Sequence, residues 1–189
     1  MATALIIALI VVLVVIIAVI IWVIAGYNGL VKAKNNVEEG FSTMDVYLKK
    51  RYDLIPNLVE TVRGYAEHES QTLQQVISAR NAAQNATTAE EKIREENVLS
   101  GSLRNLFALS EGYPDLKANA GFVELQDQLR RVEEDIANAR KYYNAVVKIF
   151  NNKCEMFPGS ILAGIFHFEK RPMFEVDVKD ERKNVKVEF

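Results

Sequence analysis

Apolar residues follow two different patterns along this chain. From Ala4 to Ala25 they are continuous, ALIIALIVVLVVIIAVIIWVIA, and no charged side chain occurs before Lys32. A helix of that length rises about 33 Å, against a hydrocarbon core of about 30 Å. The run therefore reads as a membrane-spanning anchor. A cleaved secretory signal fits poorly, because no Lys or Arg precedes the run and it exceeds the roughly 7–15 apolar residues of such signals. A buried core helix would need a larger domain around it. Trp22 and Tyr27 sit near the C-terminal end of the run, where amphipathic rings prefer the headgroup level.

Beyond the run, apolar residues recur in steps of three and four. Leu30, Val37, Phe41, Met44, Leu48 and Tyr52 form a first stripe. Pro56 then disfavours helical geometry at Ile55 while suiting the first turn of a new helix, and Asp53 is placed to cap it. The expectation is a chain reversal within residues 51–56, with Arg51 and Asn57 bonding across it. A second stripe, from Leu58 and Val62 to Val76 and Ile77, ends near Asn85. Thr87-x-x-Glu90 and Thr88-x-x-Glu91 are both capping-box patterns opening a third helix. Its apolar residues are Ile93, Val98, Leu99, Leu103, Leu106 and Phe107; Gly112 and Pro114 end it. The last helix, residues 121–152, is the most regular: Phe122, Leu125, Leu129, Val132, Ile136, Ala139, Tyr143, Val146 and Phe150 keep one face, with Asp127, Arg131, Glu133 and Glu134 on the polar side.

Such helices bury their stripes only by packing together. The fold class is thus all-α: an N-terminal transmembrane helix followed by an antiparallel bundle of three to four long helices. The divisions are an anchor over 1–26, the bundle over 27–156 and an apolar segment with a charged tail over 157–189. In that last part, Phe157, Ile161, Leu162, Ile165 and Phe166 either wrap one end of the bundle or meet a partner chain or the membrane interface. Val185, Val187 and Phe189 alternate like a strand but are too few to hold a sheet.

Charge and rare residues narrow the function. The 23 basic and 25 acidic side chains leave a net charge of -2, which gives no reason to expect nucleic acid as a partner. His68 and His167 have no metal-ligand spacing; the lone Cys154 has no CxxC partner. No catalytic, metal or cofactor set emerges, and no cofactor is expected. Lys49-Lys50-Arg51 reads as a solvated helix end or a contact to anionic lipid. Lys32 and Lys34 directly after the anchor place the bundle in the cytoplasm and the amino terminus outside.

The segment RYDLIPNLVETVRGYAEHE over 51–69, with Tyr27-Asn28-x-Leu30-Val31 upstream, resembles the LemA family of bacterial membrane proteins. Ala79-Arg80, the LSE-x-YPDLK run over 109–117, Ala139-Arg140-x-Tyr142-Tyr143-Asn144 and Phe157-Pro158 extend the resemblance over nearly the whole chain. It implies a short anchor and an antiparallel helical domain, with Arg51, Tyr52, Asp53, Pro56 and Asn57 as a structural signature. It implies no activity and no catalytic residues. One branch of that family is associated with building magnetosome membranes, which makes membrane organisation an expectation by analogy. The reading is a non-enzymatic protein of the cytoplasmic membrane that self-associates on the bilayer and organises or remodels it. The alternative is an adaptor docking a protease, transporter or sensor.

Overall fold

A computed structural model describes residues 1–174. The order is α1 (Ala2–Arg63), α2 (Ser70–Asn85), α3 (Ala89–Ser110), α4 (Pro114–Ala118), α5 (Ala120–Glu155) and α6 (Gly159–Ile165). No strand occurs among the described residues. Val185, Val187 and Phe189 lie outside them. The all-α reading with a long apolar first helix holds.

The hairpin at Pro56 does not form. α1 is one helix of 62 residues that runs through Pro56. A mid-helix proline leaves the carbonyl four residues earlier without its donor. Here that carbonyl belongs to Tyr52, and Arg80 Nε on α2 donates to it at 2.9 Å. Pro56 itself points to solvent. The buried stripe passes straight through: Leu48, Tyr52, Ile55, Val59 and Val62 are all at most 3% exposed. The reversal comes later, over residues 64–69. There the amides of Tyr65 and Ala66 both donate to Val62 O, and Ala66 is buried as the turn's anchor.

The chain divides into two compact units. One comprises Met1–Ser42 with Tyr142–Met173, so it holds the apolar part of α1, the last turns of α5 and α6. Its core is Leu30, Leu162 and Ala163, with Val23, Cys154 and Phe168 packed against them. Two glycines permit the close approach of its helices. A Cβ on Gly40 would stand 3.3 Å from Val146 Cγ2, and a Cβ on Gly26 would overlap Leu162 Cδ1. α6 is stopped by His167, whose φ of 55° places it in the left-handed region, while the Phe168 amide donates to Ala163 O at 2.9 Å. That closure leaves the Phe168 ring against Tyr27, centroids 5.9 Å apart.

The other unit comprises Thr43–Lys141 and, among the described residues, Phe174. α3 opens with a full capping box: Thr88 Oγ1 accepts from the Glu91 amide at 3.1 Å, and the Glu91 carboxylate reaches back to the Thr88 amide. Of the two boxes expected, the chain uses this one. On α5, the periodic stripe is buried as expected, with Leu125 half-buried and the other eight residues at most 8% exposed.

Candidate functional site

The most distinctive site in the second unit is a set of buried charges where α1, α2, α3 and α5 meet. Arg51 is fully buried. Its Nη2 donates to Glu96 Oε2 on α3. Its Nη1 donates to Glu133 Oε1 on α5 at 2.5 Å and to Ser100 Oγ at 3.1 Å. Tyr52 donates its hydroxyl to the other Glu96 oxygen. Arg140 Nη2 approaches Glu96 Oε2 at 3.6 Å, and its guanidinium lies 4.9 Å from the Phe174 ring centroid. One turn earlier on α3, Lys92 Nζ stands 3.4 Å from Asp45 and the same distance from Ala83 O. Three cations face three carboxylates, which is how a helical core tolerates ions that would be costly singly.

The electrostatics fix each group in one role. Burial and then the Glu96 carboxylate push the Tyr52 hydroxyl well above its ordinary range, so it stays a protonated donor. Burial, and then repulsion from Arg51, pull Arg140 below its usual value while Glu96 and Glu133 oppose that shift. Glu96 has no exposed surface and its oxygens face Arg51, Tyr52 and Arg140. Such a carboxylate holds helices together and has no path to a substrate.

This geometry redistributes the signature residues. Arg51 and Tyr52 come together in the cluster. Asp53, Pro56 and Asn57 are exposed; the Asn57 carbonyl accepts from Thr61 Oγ1 at 2.8 Å within α1. Asn57 therefore does not bond across a turn to Arg51. Lys49 and Lys50 are solvated, but Arg51 turns inward, so the basic triplet is no surface patch. Glu133, its side chain still 41% exposed at the edge of the polar face, is Arg51's partner. Sequence reasoning missed Glu96, Ser100, Arg80 and Arg140. For Glu96 the signal lay in register: Lys92, Glu96, Leu99, Leu103, Leu106 and Ser110 form the buried stripe of α3, whereas Val98 is exposed.

The second site lies in the first unit, beside the end of the apolar run. α6 turns Leu162 and Ala163 onto Leu30 and leaves Ile161, Ile165 and Phe166 exposed. Met156 and Phe157 before it are 65% and 81% exposed, more than a chain normally leaves in contiguous apolar residues. Phe166 packs against Tyr27 with the rings tilted by 59°, centroids 4.7 Å apart. Cys154 sits half-buried behind this surface; burial pushes its thiol up, so it is a packing residue. His68 and His167 are both exposed. Among the described residues, no three His, Cys, Asp or Glu side chains converge on a point that would hold a metal.

The fold and these two sites define a class: a helical bundle, locked by internal ion pairs, on a helix long and apolar enough to cross a membrane. The family model described as the LemA family matches residues 40–189, and the chain belongs to that family. It is also similar to Protein LemA of Metamycoplasma hominis, 25% identical over 134 residues, which cover 69% of this chain and 60% of that protein. The matched part thus spans less than two thirds of that relative's length.

Proposed function

We propose that this protein is a non-enzymatic, membrane-tethered scaffold that self-associates and organises or remodels the bilayer in which it is anchored. One observation carries the reading. The exposed apolar residues Met156, Phe157, Ile161, Ile165 and Phe166 belong to the same compact unit as the C-terminal end of the apolar run. A span and an adjoining amphipathic element then engage one leaflet together. Side chains wedged at the headgroup level expand that leaflet, and several copies side by side sum the effect. Lys32 and Lys34 support a cytoplasmic bundle on the cytoplasmic membrane.

The test uses full-length protein reconstituted in vesicles. Wild type should form discrete or larger homo-oligomers and deform or cluster the vesicles. The triple variant F157S/I165S/F166S, with its span intact, should insert equally well and lose the deformation. A wild-type monomer that leaves vesicles unchanged would overturn the scaffold.

One observation favours the adaptor as a second reading. α3 and α5 flank a groove of about 500 Å³ floored by Leu103, Phe107 and Leu129, with Asp127 and Arg130 on its rim. A monomer that retains one membrane protease, transporter or sensor through this groove would support it.

A further inference from the structure

Next to the exposed apolar residues, the first unit contains a cleft of about 270 Å³. Trp22, Gly26 and Leu30 of α1 form one wall; Asn152 and Lys153 of α5 and Phe157 close the other. Leu162 packs so closely on Gly26 that a Cβ there would overlap its Cδ1, and both residues line the cleft. Lys153 lies along the same glycine face, its Nζ 3.6 Å from where a Cβ on Gly29 would stand. It makes no ion pair among the described residues, whereas its neighbour Glu155 is held by Lys170 at 2.7 Å. An ammonium with no ion-pair partner among the described residues therefore borders a small cleft whose wall is the last part of a run long and apolar enough to cross a membrane. The volume suits a headgroup and not a whole drug-sized ligand. Ammonium groups at this level of a bilayer meet phosphodiesters, and an indole beside them marks the headgroup depth.

We propose that this cleft seats the phosphate of a membrane glycerophospholipid, with Lys153 as its cation and Asn152 as a neutral donor, while the acyl chains pass over Trp22 and Phe157 into the leaflet. The inference rests on the reading that the Met156–Phe166 segment lies at the membrane surface. The site orients one lipid against each chain, so the scaffold gathers a defined lipid at its edge.

Trp22 is the chain's single tryptophan, which makes the site its own reporter. Full-length protein in dodecyl maltoside is titrated with dioleoylphosphatidylglycerol while Trp22 emission is followed. Wild type should give a saturable change at one lipid per chain. Lys153→Gln, an exposed change that leaves the helix intact, should weaken it about tenfold, the worth of one charge-assisted hydrogen bond. sn-Glycerol 3-phosphate, lacking chains, should give no saturable change. Equal binding by Lys153→Gln, or full saturation by glycerol phosphate, would overturn the lipid site. A separate variant, Phe157→Trp in a Trp22→Phe background, isolates the underlying reading. Quenching of that tryptophan by bromine-labelled lipid chains, combined with unchanged Lys153→Gln titration, would reject the phosphate site alone. Absence of quenching would reject the surface seating, and the site with it.

Discussion

Replacing Arg51 with methionine removes the cation at the centre of the buried cluster while nearly preserving its length. Methionine fills the volume, so the cavity contribution is small and the change is mainly electrostatic. Glu96, wholly buried, loses its closest partner and keeps Tyr52 and the more distant Arg140. Glu133 is 41% exposed along its side chain and returns to water at little cost. Breaking a buried pair from one side costs about 3–5 kcal/mol, and the remaining partners place this case at ~3 kcal/mol. Removing Glu96 as well relieves the stranded carboxylate, so R51M/E96L should be more stable than R51M alone. The assay is guanidinium unfolding of the full-length protein in detergent, followed by circular dichroism, for wild type, both single variants and the double. The coupling between the two positions should reach about 2 kcal/mol. Additive effects, or an Arg51→Met loss below about 1 kcal/mol, would refute the claim that these ions organise the core.

Arg80→Leu should cost about 1–3 kcal/mol by stranding the Tyr52 carbonyl, and adding Pro56→Ala should recover most of it by restoring the helical donor; equal stability of R80L and R80L/P56A in the same melts would reject the substitution of Arg80 for the missing N–H. Ile136→Asp, at a position 1% exposed, should unfold the second unit, whereas Glu134→Ala on the solvent face should shift stability by less than about 0.5 kcal/mol; similar melting of the two would show the register of α5 to be wrong. The amides of Thr87 and then Thr88 hold the Glu91 carboxyl below its usual range. Its folded-state value is the lower one, so the capping contribution is present above the ordinary glutamate range and lost as pH falls through the lowered value. Carboxyl NMR titration should show Glu91 protonating below the exposed glutamates, and protonation together with them would contradict the cap.

Periodicity made the helices legible, and at α5 it fixed the buried face almost residue by residue. At Pro56 it is the proline's local backbone preference that misleads, not the stripe. The sequence Leu48, Tyr52, Ile55, Val59, Val62 keeps helical register across the proline, and Pro56 itself falls on the outward side. What neutralises the proline is Arg80, 24 residues beyond it and on another helix, and no local pattern reveals that pairing. The cluster was hidden for a related reason. Arg51, Glu96 and Lys92 occupy stripe positions, but a charge is normally read as marking the solvent face. Only the meeting of the helices shows that they neutralise one another. The family signature pointed to Arg51 and Tyr52, and through Ala139-Arg140 and Ala79-Arg80 it also touched a further member and the neighbouring Arg80 without showing what they do. At α6, the exposed positions of Ile161, Ile165 and Phe166 depend on Leu162 and Ala163 turning inward, a choice of face that seven residues of short helix leave open in sequence alone.

The proposed function depends most on where Ile165 sits relative to the bilayer. A nitroxide attached at Ile165→Cys in a Cys154→Ser background, in full-length protein reconstituted in phospholipid vesicles, reports depth through its collisions with oxygen and with a water-soluble nickel chelate. Seating at the surface of the leaflet predicts strong oxygen and weak nickel collisions at Ile165, matching a label at Ala25 near the end of the span. Nickel accessibility equal to that of a label at Glu134, on the solvent face of α5, would put the apolar segment in water and contradict the second membrane contact.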